Sequence, residues 1–252
     1  FNDKLKGGIR TFLGIVTALA LSQASLSFAK QEVRLGVLDN SPPMSIRQAD
    51  GSYSGYSIDL ILEVCKDRSW SCTFIPSSIQ TLIEDLKTGK IDIAVMSLLP
   101  TPERRKQILL SRTFYTSISV WFAPANTAPD QAGIKVAVVQ GSAQARYAKD
   151  KHWNIVEVTS NKALQQAVIS GDADGMVAPM MTVLGLRSDP ALKAMSLNVT
   201  ALKIPELTGE TSLGVTPLKP ELKKQLDQTL ERLERNGTYD KINSKYVPFR
   251  VN

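Results

Sequence analysis

The chain has 252 residues, 43% of them hydrophobic, and carries 30 Lys and Arg against 24 Asp and Glu, a formal net charge of +6. That basic excess is spread along the sequence, and only three Trp and seven Phe are available to stack on bases, which argues against nucleic acid as a partner. One histidine and two cysteines are too few ligands for a metal site, so neither a metal nor another cofactor is expected.

The first 29 residues have the layout of an export signal. Lys4, Lys6 and Arg10 make a positive start, residues 11–20 an apolar core too short to span a bilayer comfortably, and Ser27-Phe28-Ala29 offers small residues where a signal peptidase reads. Cleavage is expected after Ala29. The alternative, an uncleaved anchor, is disfavoured because Ser22, Gln23 and Ser25 dilute the apolar run. No cysteine sits at the junction, so a lipoprotein is not expected. The remainder has 223 residues with 27 basic and 23 acidic side chains, enough for one large domain or two modest lobes.

EVRLGVL (32–38) reads as a buried strand, and SGYSIDLILEVCKD (54–67) as a helix with Ile58, Ile61, Leu62 and Cys65 on one face. Cys65 and Cys72 bound the segment CKDRSWSC. In an exported chain a lone, close pair points to a disulfide over a metal site, two free buried thiols being the alternative. Closing so short a loop would stabilise the fold by roughly 2–3 kcal/mol. The next helix is predicted over 78–88, with Ile79, Leu82, Ile83 and Leu86 inward and Gly89 placed to end it.

KIDIAVMSL (90–98) is a second buried strand, and Thr101-Pro102-Glu103 a helix start with a hydroxyl cap and Pro at the first helical position. Arg104 then lies in the first turn, at the end of a parallel strand, where α/β folds commonly bind ligands. A guanidinium matches a carboxylate bidentately, as a lysine cannot. Further on, KVAVVQ (135–140) is another strand, and QGSAQARYA (140–148) supplies a glycine turn and a Ser142 cap whose free N–H groups are placed for the same anion.

A repeat organises these pieces. LKTGKIDIAVM (86–96) and VISGDADGMVA (168–178) match at Leu86, Gly89, Asp92 and Val95 against Val168, Gly171, Asp174 and Val177, and KVAVVQ matches VRLGVL. The chain therefore reads as two similar α/β lobes, each a parallel sheet covered by helices. ISVWFAPA (118–125) and TSLGVTP (211–217) are the extended segments placed to pass between them. The tail over 219–246 is amphipathic through Leu222, Leu226, Leu230 and Leu233, breaks at Asn236-Gly237, and is expected to pack back on the first lobe.

Nothing calls for catalysis. His152 in AKDKHWN looks like a solvated helix end, GSYSG (51–55) places Tyr53 where a nucleophilic serine would stand, and no phosphate-binding glycine loop is present. Glu84 and Asp85 read as solvent charges on a polar helix face. No catalytic residue is expected.

Several motifs in fixed order resemble the bacterial extracellular solute-binding proteins of family 3, the polar amino-acid class that feeds ABC importers. GYSIDLILEVCKD resembles the family signature, with Ser57 in place of its first acid. LKTGKIDIAVMSLLPTPERRKQILLSRTFY, QGSAQ and NGTYDKINSKY resemble three further family segments. The cysteine pair is similar to that of the lysine/arginine/ornithine- and histidine-binding members. The resemblance implies an α/β, type II periplasmic-binding-protein fold: residues 30–117 plus 212–252 as one lobe and 118–211 as the other, with two crossing segments forming the hinge. It also implies a cleft that closes on a small carboxylate or amino acid, a periplasmic location, an inner-membrane ABC permease as partner, and a monomer.

By the same resemblance Arg104 clamps the ligand carboxylate, helped by the Ser97 hydroxyl. Other positions depart from the pattern. The next family hydroxyl falls on Leu99, the second-lobe threonine on Ala143 beside Ser142 and Gln144, and the acid that pairs the ligand ammonium on Pro179. The first-lobe acid and aromatic fall on Leu38 and Ser41, with Asp39 adjacent. An enclosed ammonium without a carboxylate partner would cost several kcal/mol. Leu38, Ile79, Met96, Leu98, Leu99, Met180 and Met181 are instead available to line an apolar cleft, ordinary lobe core being the alternative for each. The expected ligand is therefore a carboxylate less polar than a cationic amino acid. Two other readings are an exported enzyme on the same scaffold, similar to cyclohexadienyl dehydratases, which needs an acid in the cleft, and a sensory domain that signals through a partner.

Overall fold

The computed structural model describes residues 30–246; the export signal expected over 1–29 lies outside them, as do residues 247–252. In chain order the elements are β1 (Glu32–Val37), β2 (Asn40–Ser41), β3 (Ser45–Arg47), β4 (Tyr53–Ser54), α1 (Tyr56–Arg68), β5 (Ser71–Pro76), α2 (Leu82–Lys87), β6 (Ile93–Leu98), α3 (Pro102–Gln107), β7 (Leu109–Leu110) and β8 (Tyr115–Ala123). There follow β9 (Val136–Val139), α4 (Ala143–Asp150), β10 (Ile155–Val158), α5 (Asn161–Ile169), β11 (Gly175–Pro179), α6 (Met180–Leu186), α7 (Pro190–Ala194) and β12 (Asn198–Ala201). A 3₁₀ turn (Pro205–Leu207) leads into β13 (Thr208–Val215), α8 (Pro220–Arg235) and α9 (Thr238–Tyr246). None of the described helices is long and apolar enough to cross a membrane.

The strands form two parallel cores joined by two long strands. In one lobe β1 pairs in parallel with β5 and β6; in the other β9 pairs in parallel with β10 and β11. Helices cover both faces of each sheet, so IAVMSL and VAVV are apolar almost throughout, as strands buried on both sides must be. β8 and β13 run antiparallel to one another from Tyr115↔Thr211 to Ile118↔Thr208, then part. Beyond that ribbon β8 pairs with β11 and β12, whereas β13 pairs with β6 and β7.

Burial along β8 records the crossing. Tyr115 and Ser117 are buried while Thr116 and Ile118 are exposed, the alternation of a two-stranded ribbon; residues 119–123 are then buried without a break. β13 changes the same way, its first three residues open and its last five buried. The segments expected to pass between the lobes, 118–125 and 211–217, belong to these strands, and the crossing itself is made by 115–118 and 208–211.

The sequence repeat has a physical basis. The Asp92 carboxylate accepts the Arg34 N–H at 2.8 Å while the Asp92 N–H donates to the Arg34 carbonyl at 2.8 Å. Asp174 does the same with Lys135, at 2.7 and 2.9 Å. Each aspartate ties the entry of its own strand to the first strand of its lobe. Gly89 and Gly171 end the preceding helices at φ 71° and 78°, backbone that a side chain would strain.

The cysteines form the Cys65–Cys72 disulfide, Cα–Cα 6.3 Å, joining the end of α1 to β5. The tail packs as expected: Leu222, Leu226, Leu230 and Leu233 join α1 and β1 residues in one core. Arg68 Nε donates to Thr229 Oγ1 at 2.7 Å, and Lys245 Nζ and Tyr246 OH reach Asp59 at 2.7 and 2.8 Å.

Three expectations need correction. Leu62 is 43% exposed, because the buried face of α1 runs through Tyr56, Ile58, Leu60, Ile61, Val64 and Cys65. The second helix begins at Leu82, not at 78. Residues 78–81 are a turn, in which the Thr81 N–H donates to Ser78 Oγ at 3.2 Å. Asp85 is not a solvent charge either: it is buried and accepts from Thr81 Oγ1 at 2.9 Å and Lys90 Nζ at 3.1 Å.

Asp92, 1% exposed, also takes Lys219 Nζ at 2.8 Å and so fixes the start of α8. Burial alone would push its carboxyl up, but hydrogen bonds from Arg34 and Lys219 together hold it below the ordinary range. A carboxylate held low supports the fold above its unfolded pKa and loses that support as pH falls through its folded value. Asp92→Ala should therefore cost about 3 kcal/mol in urea unfolding at pH 7. The gap from wild type should narrow below about pH 4; a gap independent of pH would contradict this role.

Candidate ligand-binding site

Where β6 ends, the chain turns through Leu99 and Pro100 into α3. Thr101 caps that helix, its hydroxyl accepting the Arg104 N–H at 3.4 Å, with Pro102 in the first turn. Arg104 Nη1 donates to the Leu99 carbonyl at 3.0 Å, which folds the long side chain back toward the strand end and into the space between the lobes. In the other lobe β9 is followed by Gly141 at φ 77°, where a Cβ would lie 3.2 Å from the Ile79 carbonyl across the cleft. Ser142 then caps α4 by accepting the Ala145 N–H at 3.0 Å, and the N–H groups of Ala143 and Gln144 are left without intrahelical partners.

Between these strand ends lies a cavity of about 100 Å³, room for a ligand of on the order of ten non-hydrogen atoms. Eleven residues expected from the sequence border it. Leu38, Ser41, Ile79, Met96, Ser97, Leu99 and Arg104 come from the first lobe, and Ser142, Ala143, Gln144 and Pro179 from the second. Leu98 and Met181 also contribute, but Met180 does not: the phase of α6 turns it against the second-lobe core.

Asn161, Thr182 and Ser117 border the cavity and were not expected. Asn161 Nδ2 donates to Ser41 Oγ at 2.9 Å, a buried bond from one lobe to the other. Gln144 Nε2 donates to Ser119 Oγ at 2.9 Å, and that hydroxyl donates to the Leu207 carbonyl at 2.7 Å, which anchors α4 to the crossing strand. Asp39, adjacent to Leu38, is no substitute acid: it is exposed, accepts from Tyr53 OH and faces Arg47 at 3.5 Å.

Arg104 is the one charged side chain among the described residues of the lining, and no carboxylate pairs with it. Burial, and then repulsion from Arg146, pull its pKa down to about 10 against a weaker opposing effect of Glu103. It remains a cation at neutral pH, at an electrostatic disadvantage that an incoming anion would relieve. The Ser97 hydroxyl is also buried without a hydrogen-bond partner.

The lobes touch all around the cavity. Beside Ser41–Asn161, Gln80 Nε2 donates to the Thr159 carbonyl at 3.1 Å and Arg146 pairs with Glu103. Gly185 in α6 comes so near Pro42 that a Cβ there would lie 2.2 Å from its carbonyl oxygen. Leu99 and Ala143 pack with Leu207 in one small apolar cluster, so both face a neighbouring lobe as well as the cavity.

Comparison with known proteins agrees with this architecture. The lysine/arginine/ornithine-binding periplasmic protein of Escherichia coli K12 is 30% identical over 256 residues, covering 96% of this chain and 98% of its own. A substrate-binding protein of an ABC uptake transporter from Streptococcus pneumoniae, solved with bound histidine, superposes with a TM-score of 0.79 at 19% identity, over 87% of this chain and 94% of its own. An ancestral amino acid-binding protein described as a precursor of cyclohexadienyl dehydratase gives a TM-score of 0.74 at 25% identity, over 85% and 95%. Residues 33–249 match one family profile over nearly the whole chain beyond the expected signal, and with the paired lobes, the crossing strands and the cavity between them the chain belongs to the bacterial extracellular solute-binding proteins, family 3.

Proposed function

We propose that this protein is the periplasmic solute-binding component of an ABC importer and delivers a small carboxylate related to an amino acid to an inner-membrane permease, acting as a monomer. In this reading residues 30–117 with 212–252 form one lobe and 118–211 the other, and they close on the ligand. The observation that carries it is Arg104, a partly buried guanidinium with no internal counter-ion, bordering the same cavity as the partnerless Ser97 hydroxyl. Ala143 and Gln144, whose N–H groups open α4, border the same cavity. A carboxylate there would neutralise the one cation and satisfy the hydroxyl together.

The rest of the lining favours a remainder without positive charge. Leu38, Ile79, Met96 and Leu99 offer apolar surface, and no described acid is present to pair an ammonium. The same composition supports binding over turnover, because Arg104 is the only ionisable lining group besides Tyr115, which burial pushes well above its usual range. Neither would move a proton readily at neutral pH.

Calorimetric titration with carboxylates of leucine size should show binding that Arg104→Ala weakens by at least ~100-fold and that Arg104→Lys restores only in part. Equal affinity in Arg104→Ala would remove Arg104 from the role. Affinity should stay flat from about pH 6 to 9, since the lining holds no group that titrates there, and fall as Arg104 deprotonates near 10. A bell-shaped profile centred near neutrality would point to a different site. Gly185→Ala gains helix propensity and, with the lobes apart in the free protein, should not lower its melting temperature. It should lower affinity by about tenfold or more and enlarge the radius of gyration of the liganded protein in X-ray scattering, because the new methyl holds α6 off Pro42.

A further inference from the structure

The second-lobe wall carries a set of neutral oxygens where an acid would be needed to hold an ammonium. Pro179 ends β11 and precedes α6 without any capping hydrogen bond from its side chain. Thr182 follows three residues later, so it lies on the same side of the chain one turn along. It borders the cavity, is 7% exposed, and its hydroxyl has no hydrogen-bond partner among the described residues. Asn161 opens α5 directly after the Ser160 cap. Its Nδ2 is committed to Ser41 Oγ, which leaves Oδ1 as an acceptor and the Ser41 proton free to be donated. This end of the cleft thus presents the Thr182 hydroxyl and the Asn161 amide from the second lobe and the Ser41 hydroxyl from the first, all neutral.

Charge balance sets the class of partner. A zwitterionic amino acid has no net charge, so enclosing it leaves the charge of Arg104 in a closed, largely apolar space and adds an ammonium whose only partners are neutral. A carboxylate whose second polar group is a hydroxyl or carbonyl has net charge −1 and leaves the filled cavity neutral. Its oxygen can accept from the Thr182 or Ser41 hydroxyl or from the second hydrogen of Asn161 Nδ2, and a ligand hydroxyl can in addition donate to Asn161 Oδ1.

We propose that the preferred ligand is a hydroxy- or oxo-carboxylate rather than an amino acid, and that Asn161 and Thr182 are the specificity-determining residues that read its neutral oxygen. This rests on the carboxylate reading given above, and the experiment separates the two.

Four compounds on one skeleton form the test: L-leucine, 2-hydroxy-4-methylpentanoate, 4-methyl-2-oxopentanoate and 4-methylpentanoate, each titrated into the mature protein. The hydroxy or oxo acid should bind at least ~30-fold tighter than both leucine and the unsubstituted acid. Thr182→Val keeps the shape of the side chain, and Thr182→Val and Asn161→Ala should each remove about tenfold of the preference for the oxygenated acid over the unsubstituted one. Affinity for the unsubstituted acid should stay within about threefold, whereas a merely structural role would weaken all four alike. Asn161→Asp, which would accept from Ser41 Oγ in place of donating to it, should shift the preference toward leucine. Leucine binding as tightly as its oxygen analogues, no preference between the oxygenated and unsubstituted acids, or uniform weakening in the variants would each overturn the proposal while leaving the role of Arg104 intact. If none of the four binds the wild-type protein, the carboxylate reading falls and this proposal with it.

Discussion

A guanidinium enclosed where two lobes meet, with no internal counter-ion, is the constraint around which the rest of the structure is arranged. Arg104 reaches that position because β6 ends at Leu98, Thr101 caps the next helix, and the Leu99 carbonyl takes one of its N–H groups. The nearest acid in sequence does not quench it. Glu103 is exposed and turns across the cleft to Arg146, which adds repulsion at Arg104 while joining the lobes. In the proposed reading, closing the lobes buries a positive charge that something entering the cleft balances, which would couple lobe closure to the charge of the occupant.

Leu99 and Ala143 acquire a second meaning in this setting. In the sequence they stand where the family pattern has hydroxyls, and so they suggest a less polar ligand. In the structure they also pack with Leu207 between the lobes. In the proposed reading, apolar groups at these positions would move part of the closing free energy from ligand contacts to lobe–lobe contacts. The crossing strands make this possible, since β8 and β13 bring the two sheets together through a ribbon only four residues long on each side.

Much of the fold was legible in the sequence because it follows from local patterns. The strand runs, the Thr101 and Ser142 caps, the terminal glycines and the repeated aspartates all act through near neighbours, and each stands where the pattern puts it. What escaped depended on tertiary placement. Leu62 belongs to the apolar period of α1 yet falls outside the arc that α8, α9 and the sheet cover. Met180 and Met181 differ by one helical step of about 100°, enough to send one into the second-lobe core and the other to the cavity. Asn161 and Thr182 left little trace, because an asparagine after a capping serine is ordinary at a helix start. A threonine on the buried side of the apolar helix MMTVLGL was the one available signal. Their proximity to Arg104 exists only once the lobes are together.

The central claim is that the occupant balances Arg104 and brings no cation of its own. Mass spectrometry of the compound released when the protein, isolated with its natural ligand from its native cells, is denatured would test this most directly. The account predicts a stoichiometric compound with a carboxylate and no basic nitrogen. Release of lysine, arginine or histidine in stoichiometric amount would contradict it.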